Sequence, residues 1–221
     1  MVKAVFCDFY GTLVHENGPK SYEVINRVFE SGNAERAEDV VRYWHRSFHQ
    51  LMDEFSGDAY RPQYELALKS FEETVERFDA DEDPVELCDL MVEHWCAPPL
   101  YDDAKPFLES VDVPVYLVTN SDDKYVKAAM AAHGIACAGV FTSEQARYAK
   151  PDPRIFRYAL DQTGLKTYEV VHIGDSVDGD YRCPASLGIE PIWLNRDGLP
   201  AKNAARFAKD LAEARKIASY M

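Results

Sequence analysis

The feature that most constrains the fold of this chain is a series of short, continuously apolar segments, most of them beyond residue 112, with helix-like segments between them. The apolar segments occupy residues 3–8, 113–120, 139–143, 170–175 and 191–195. A strand that is apolar on both sides must be covered on both faces, so the pattern indicates a parallel sheet with helical crossovers, an α/β fold. Ligands of such sheets bind at the carboxyl ends of the strands.

The stretch of about 85 residues after the first segment has a helical pattern instead, because its apolar residues recur every three to four positions. Asp83 and Pro84 provide an N-cap and a first-turn proline for the last of four predicted helices, and Pro98-Pro99 ends it. We therefore predict a helical insert at residues 15–99 and a sheet core built from residues 1–14 and 100–221. The tail from Ala201 is predicted to be a surface helix whose inward residues are Ala204, Phe207, Leu211 and Ile217.

The chain is acidic, since 24 Lys and Arg residues face 38 Asp and Glu residues and leave a formal charge of −14 over 221 residues. Such a charge gives no attraction to nucleic acid or to an anionic membrane, so a small-molecule partner is favoured. Five cysteines without a C-x-x-C spacing predict reduced thiols rather than a disulfide framework or a zinc site. The first apolar run is too short for a secretory segment, and we expect a cytoplasmic protein that is a monomer or a homodimer.

Polar residues follow three of the predicted strands: Asp8, the Thr119-Asn120-Ser121 run, and Asp175. Strand ends of a parallel sheet converge, so these side chains are expected to lie together, with Lys150 in a nearby loop. Two carboxylates, a hydroxyl and amide cluster and a cation suit metal-assisted displacement at phosphorus. Each residue alone predicts little, because an Asp at a strand end is more often a turn or a cap.

The residues in this order resemble the four motifs of the haloacid dehalogenase (HAD) superfamily. The first motif is similar to Val5–Val14 with Asp8 inside it, the second to Leu117–Asn120, the third to Lys150–Pro153, and the fourth to Ile173–Ser176 with Asp180 following. The resemblance implies a Rossmann-like parallel sheet core (HAD-like). It also implies that the insert is a mobile cap domain of the C1 type.

Carried over from the family, Asp8 would attack the substrate and form an aspartyl intermediate. The carboxylates of Asp8 and Asp175 and the backbone carbonyl of Tyr10 would hold Mg²⁺, and Asp180 would support this metal site. Oxygen ligands are those that Mg²⁺ prefers.

The remaining predicted site residues would contact the substrate. Thr119 and the Asn120 backbone N–H would bind the transferring oxygens, and Lys150 would spread the charge that builds on them. Thr12 and Ser121 are further predicted substrate contacts. Arg42, Arg46 and His49 on the second predicted helix would select an anionic substrate if they face the core, although a solvated helix face is the more common reason for such residues.

Tyr10 is a departure from the phosphatases of this superfamily, in which a second aspartate stands two residues after the nucleophile and acts as general acid. The Asp-x-Tyr-Gly-Thr run is instead similar to the first motif of 2-haloacid dehalogenases, which use no metal. Gly174-Asp175-Ser176 differs from the Ser-Ser-Asn pattern of those enzymes and favours a metal site. Three functions stay open: a Mg²⁺-dependent phosphoryl hydrolase, preferred here, a C–halogen hydrolase, and a non-catalytic binding protein on the same frame.

Overall fold

A parallel sheet forms the centre of the molecule. The computed structural model describes residues 2–200 and 206–220, and in this part of the chain the sheet has six parallel strands in the order β3-β2-β1-β4-β5-β6. The strands are β1 (Ala4–Cys7), β2 (Val115–Thr119), β3 (Gly139–Thr142), β4 (Val170–Gly174), β5 (Glu190–Leu194) and β6 (Phe207–Ala208). The first five match the five apolar segments, so the predicted α/β fold with a Rossmann-like sheet is confirmed.

Helices cover the sheet on both faces, as continuous apolar strands require. The helices that follow the insert are α5 (Ala104–Ser110), α6 (Asp123–His133), α7 (Ser143–Ala146), α8 (Arg154–Thr163), α9 (Cys183–Leu187) and α10 (Leu211–Ser219). Side chains of β1 alternate between the faces: Val5 and Cys7 pack with α5, α6 and α10, and Phe6 packs with α8 and α9. Neighbouring strand residues point to opposite sides, so Cys7 is core packing although it precedes Asp8.

Four α-helices stand between β1 and α5, and we refer to them as the helical insert. They are α1 (Pro19–Ser31), α2 (Ala37–Glu54), α3 (Gln63–Phe78) and α4 (Pro84–Cys96). The insert has its own core, in which Val28, Phe71 and Leu87 are fully buried. The predicted cap of the fourth helix is confirmed, because the Asp83 side chain accepts a 2.8 Å hydrogen bond from the Val85 backbone N–H. The α4 helix also contacts α6 of the sheet core.

The prediction of a continuous tail helix is wrong at Phe207. That residue begins β6, which pairs with β5, and its side chain is 50% exposed rather than inward. The helix starts only at Leu211, after Asp210 has capped it by accepting a hydrogen bond from the Glu213 N–H. The open edge of β5 offers unpaired backbone groups, which a helical pattern in the sequence does not reveal. Leu211 is buried as predicted, Ile217 is half-buried, and Ala204 lies outside the described residues.

Candidate active site

Asp8 lies directly after β1, at the carboxyl edge of the sheet. Its backbone N–H donates a 2.9 Å hydrogen bond to the Ile173 carbonyl of β4, which fixes where the side chain begins. Lys150 Nζ donates to Asp8 Oδ1 and to Asp180 Oδ1, each at 2.6 Å, and all three side chains are at most 7% exposed. Charges so far from water are stable only when paired, so these three groups form one unit.

Lys150 comes from the loop between α7 and α8, and Asn120 holds the backbone of that loop. The Asn120 side chain donates from Nδ2 to the Lys150 carbonyl at 2.8 Å and accepts from the Lys150 N–H at 2.7 Å. An amide that satisfies both backbone groups of one residue fixes its position. The strand end after β2 thus positions the lysine that lies beside Asp8.

Asp180 is saturated by donors. Its Oδ1 accepts from Lys150 and at 2.9 Å from His172 Nε2, and its Oδ2 accepts from the Ser176 N–H at 3.0 Å. A turn of π-helix at Val177–Arg182 carries Asp180 back under the end of β4. A Cβ on Gly174 would collide with the Asp180 side chain, so only glycine fits there.

Asp175 follows β4 and faces Asp8 across the strand ends. Thr12 Oγ1 donates to its Oδ1 at 3.3 Å, and Trp193 Nε1 donates to its backbone carbonyl at 2.7 Å. Gly11 has a φ of +84°, and a Cβ there would stand 2.5 Å from Asp175 Oδ2. Glycine therefore lets the loop after β1 approach this carboxylate.

The pKa values of the three carboxylates are shifted in different directions. Loss of solvent raises the pKa of Asp8 to about 6 although Lys150 opposes the shift, and the same loss together with the charge of Asp8 raises the pKa of Asp175 to about 8. The pKa of Asp180 is instead held well below its usual range, because the attraction of Lys150 and the hydrogen bond from His172 outweigh its burial. Burial also lowers the pKa of His172, which keeps that imidazole neutral.

The donor set fits a divalent cation. Oxygen atoms of Asp8, Asp175 and Asp180 lie within 4.8 Å of one another, and Asp8 Oδ2 is buried without a hydrogen-bond partner among the described residues. Carboxylates that repel one another and an orphaned oxygen are the features that a bound cation would relieve. Because Asp180 already accepts three protein hydrogen bonds, Asp8 and Asp175 are the carboxylates more open to a metal.

A cavity of about 530 Å³ opens above these groups and extends to the helical insert. On the insert side an aromatic wall, formed by Trp44, Phe48 and Trp95, lines the cavity. The rings of Trp44 and Phe48 stack at 5.7 Å between centroids, and those of Phe48 and Trp95 stack at 6.0 Å. His45 and His49 stand beside this wall with their Nε2 atoms 3.0 Å apart. The cavity therefore has one charged face and one aromatic face.

The structure brings most of the predicted site residues to this cavity. Those that line it are Asp8, Tyr10, His49, Thr119, Asn120, Lys150, Asp175 and Asp180. Thr12 is buried against Asp175, and Ser121 is buried with its hydroxyl donating to the Asp122 carbonyl. Arg42 and Arg46 are not brought to the cavity: both are exposed, and Arg42 lies 3.7 Å from Asp39 on its own helix. They lie on the solvent side of α2, whereas His49 faces the cavity.

Tyr10 links the core to the insert. Its hydroxyl donates a 2.7 Å hydrogen bond to the Trp95 carbonyl at the end of α4. Burial raises the pKa of this phenol far above its ordinary value. Tyr10 is thus a neutral hydrogen-bonding link between the core and the insert.

Sequence reasoning missed Glu16 and His172. Glu16 was not among the predicted site residues, yet it lines the cavity with Asp8. His172 is fully buried in β4 and bonds Asp180. The position of His172 in the sequence could have identified it. It lies two residues before Gly174 on the same face of the strand, and a polar side chain buried there needs a hydrogen-bond partner. No local pattern marks Glu16.

Comparison with known proteins agrees with this geometry. A family model for haloacid dehalogenase-like hydrolases matches residues 2–188. The chain belongs to this family and is a hydrolase, which disfavours the non-catalytic alternative. No helix in the described part of the chain has the length and apolar character needed to cross a bilayer.

Individual relatives include both phosphatases and dehalogenases. The chain is 51% identical over 57 residues to haloacid dehalogenase-like hydrolase domain-containing protein 3 of Danio rerio, covering 26% of this chain and 24% of that protein. It is 32% identical over 106 residues to a phosphoserine phosphatase of Thermus thermophilus, covering 44% and 41%. The chain thus spans less than half the length of these relatives. A crystal structure of an L-2-haloacid dehalogenase superposes with a TM-score of 0.81 at 17% identity over 99% of both chains, which shows the shared fold.

Proposed function

We propose that this protein hydrolyses the phosphate ester or anhydride of a small metabolite, with Mg²⁺ as cofactor and a phosphorylated Asp8 as intermediate. One observation carries the proposal: the oxygens of Asp8, Asp175 and Asp180 gather within 4.8 Å while Lys150 bridges Asp8 and Asp180. A C–halogen hydrolase has no need of the cation that a further carboxylate such as Asp175 would help to hold. A carboxylate that attacks a phosphate dianion does.

A carboxylate that attacks a phosphate dianion needs added positive charge, because the two groups repel each other. Two unit charges of the same sign 4 Å apart repel by about 4 kcal/mol at an effective dielectric constant near 20. Asp8, Asp175 and the Tyr10 carbonyl, with Asp180 in support, would hold Mg²⁺, which would supply positive charge against the repulsion between Asp8 and the phosphate. The Lys150 ammonium offsets a further part, and its two carboxylate partners keep it charged.

The residues of this chain then have separate tasks. The Asp8 carboxylate attacks phosphorus in line with the leaving oxygen, and water later releases phosphate from the acyl phosphate. Thr119 and the Asn120 N–H bind the transferring oxygens, while Thr12 and Ser121 keep the loops after β1 and β2 in place. Asn120 also holds the Lys150 loop through its side chain.

The helical insert serves, in this proposal, as a cap domain of the C1 type over residues 15–99. It supplies the aromatic wall opposite the charged face, and closure over the substrate would exclude water from the phosphoryl group. The acidic charge of the chain disfavours nucleic acid as the substrate and supports a small metabolite instead. We propose that the enzyme is cytoplasmic and a monomer or a homodimer.

The charges that line the cavity also limit which leaving groups can bind. Lys150 is the one Lys or Arg residue among the described residues that line it, while Asp53 and Asp178 add negative charge away from Asp8. A second anionic group on the substrate would therefore lack a cationic partner. The leaving group is expected to be neutral or cationic, with a ring or an apolar part against the aromatic wall.

Hydrolysis of a 2-haloacid is the second candidate, and the Tyr10 position favours it. The carboxylate of such a substrate would need a cation besides Lys150, and Arg42 and Arg46 are outside the cavity. Phosphoryl hydrolysis is therefore preferred.

A substrate panel separates the two reactions. The protein is assayed with acyl phosphates, sugar phosphates, p-nitrophenyl phosphate and 2-chloropropionate, with Mg²⁺ and with excess EDTA. We expect phosphate release that needs Mg²⁺ and disappears with the chelator. Release of halide that persists in EDTA would instead establish the dehalogenase function.

A further inference from the structure

Glu16 occupies the connection between the sheet core and α1, at the mouth of the active-site cavity. It lines this cavity together with Asp8 and Tyr10, and it also lines an adjoining cavity of about 350 Å³. The residue is exposed, so a substrate or a water molecule in the cavity can reach its carboxylate. Among the described residues, none donates a hydrogen bond to that carboxylate.

The backbone at this point is held from two sides. A ring nitrogen of His94 in α4, Nε2, bonds the Glu16 carbonyl at 2.9 Å, and the His15 N–H donates to the Pro99 carbonyl at 2.8 Å. Pro99 belongs to the second connection between the insert and the core. The backbone of Glu16 is therefore fixed where both connections meet, and its side chain lines the cavity that contains Asp8.

Other acidic groups of the cavity are engaged elsewhere. Asp8 and Asp180 pair with Lys150, and the Tyr10 hydroxyl is committed to the Trp95 carbonyl. These groups cannot give a proton to a leaving alcohol and still perform the tasks described above.

Asp175 is assigned to the metal in the proposed function, and the two remaining acids of the cavity, Asp178 and Asp53, have other neighbours. Asp178 pairs with Arg182 at 2.7 Å and is 69% exposed. Asp53 is influenced by the charge of Asp152, not by that of Asp8.

Glu16, in contrast, responds to the charges of the reaction centre. Although the residue reaches the cavity surface, the protein atoms packed around its carboxyl displace part of the solvent, and this effect together with repulsion by Asp8 raises the pKa of Glu16 to about 7. Lys150 acts in the opposite direction, and Asp180 adds to the rise. Glu16 in turn raises the pKa of Asp175 and that of Tyr101. Both protonation states are then populated near neutral pH, as a group that gives and takes a proton in one cycle requires.

We propose that Glu16 is the general acid and general base of the reaction, in place of the second aspartate that this chain replaces with Tyr10. The inference rests on the proposed phosphoryl hydrolysis and adds to it the residue that moves the proton. It also widens the range of substrates, because a leaving alcohol no longer has to be acidic.

The proton and the electrons balance over two steps. In the first, an Asp8 oxygen forms a bond to phosphorus, the bond from phosphorus to the leaving oxygen breaks, and the Glu16 carboxyl gives its proton to that oxygen. In the second, water attacks phosphorus, the Glu16 carboxylate takes a proton from the water, and the bond from phosphorus to the Asp8 oxygen breaks. Phosphate leaves, Asp8 is again a carboxylate, and Glu16 is again protonated.

The test compares Glu16→Gln with the matched control Glu30→Gln, an exposed glutamate of α1 that lines neither cavity, using the full chain with Mg²⁺. With p-nitrophenyl phosphate, whose phenol leaves without a proton, we expect Glu16→Gln to keep a burst of nitrophenolate within about 10-fold of the wild-type rate. Steady-state turnover should fall by about 100-fold, since the base for the second step is lost. Phosphorylated Asp8 should accumulate and be detectable by mass spectrometry of acid-quenched enzyme. With a simple alkyl phosphate even the first step should slow by about 100-fold.

The control and the conservative variant complete the experiment. Glu30→Gln should match the wild type within about 2-fold on both substrates, and Glu16→Asp should recover part of the steady-state rate. Equal steady-state rates for Glu16→Gln and wild type, or a uniform loss without phosphoenzyme, would overturn the role of Glu16 and leave the proposed function standing. If the wild-type protein forms no phosphoenzyme with either substrate, the proposed function fails and the inference fails with it.

Discussion

The two faces of the active-site cavity are built on different physical principles. At the sheet edge, the polar atoms of Asp8, Lys150 and Asp180 satisfy one another, and backbone hydrogen bonds fix where each side chain starts. The insert face is a stack of rings, Trp44, Phe48 and Trp95, whose contacts have little directional preference. The edge therefore holds a fixed geometry before substrate binds, and the wall tolerates leaving groups of different shape.

We therefore expect the edge to set the rate of the reaction and the wall to select the substrate. Changes at the edge should lower kcat or unfold the site, because charges there depend on one another. Changes at the wall should alter KM with little effect on kcat, because the wall contacts the part of the substrate that does not react. The largest effects are therefore expected at the edge and the smallest at the wall.

Replacement of Asp8 with Asn should lower turnover by at least about 1,000-fold, because the amide cannot form the acyl phosphate. Initial rates on the best substrate of the panel measure this effect, and circular dichroism establishes that the fold persists. The control is Asp161→Asn, which removes an exposed acid of α8 outside the cavity and should keep activity within about 2-fold. Activity of Asp8→Asn near the wild-type level would exclude Asp8 as nucleophile.

Replacement of Lys150 with Met should destabilise the protein by about 3–5 kcal/mol, because Asp8 and Asp180 would be left buried beside each other without a counter-charge. Urea unfolding monitored by fluorescence measures the change. The matched control is Lys127→Met, which breaks an equally short pair with Asp123 at an exposed site and should cost about 0.5 kcal/mol or less. Similar losses for the two variants would show that the edge is not a coupled charge unit.

The metal-free protein should lose thermal stability, by a few degrees in Tm, as pH rises from about 6.5 to about 8.5. The folded-state pKa values of Asp175, about 8, and Glu16, about 7, lie above the ordinary values of 3.8 and 4.5. The folded state thus binds more protons than the unfolded state, and raising the pH through the folded pKa removes this stabilisation.

Calorimetry in EDTA measures this loss, and millimolar Mg²⁺ should reverse it at the alkaline end, since a cation that binds only the folded state stabilises it. Asp175→Asn should flatten the pH dependence. A Tm that rises with pH over this range, or that ignores Mg²⁺, would contradict the crowding of carboxylates at the edge.

Replacement of His49 with Ala should change KM by about 3–10-fold and leave kcat within about 2-fold. This is expected for a residue beside the aromatic wall, which contacts the part of the substrate that does not react. The controls are Arg42→Ala and Arg46→Ala on the same helix, which face solvent and should leave both constants unchanged. Steady-state kinetics on one substrate measures all three variants. A larger effect from either arginine than from His49 would mean that α2 presents its other side to the substrate.

Much of the edge could be predicted from the sequence. A strand that is apolar to its end and then polar indicates where the sheet stops, so Asp8, Thr119 and Asp175 were identified by position alone. The wall could not be predicted as well. The apolar stripe of α2 shows which side is buried, but it does not show which of Arg42, Arg46 and His49 lies at the border of that stripe nearest the cavity.

The sequence by itself determined the parallel sheet, the position of the helical insert and the strand-end residues of the site, because the period of apolar residues and the chain breaks are local properties. Only the tertiary structure decided that Lys150 bridges Asp8 and Asp180, that Tyr10 binds the insert, and that Glu16 faces the cavity. These are contacts between segments far apart in the chain. Their geometry depends on how the strands align and how the insert packs on the core, which no local pattern encodes.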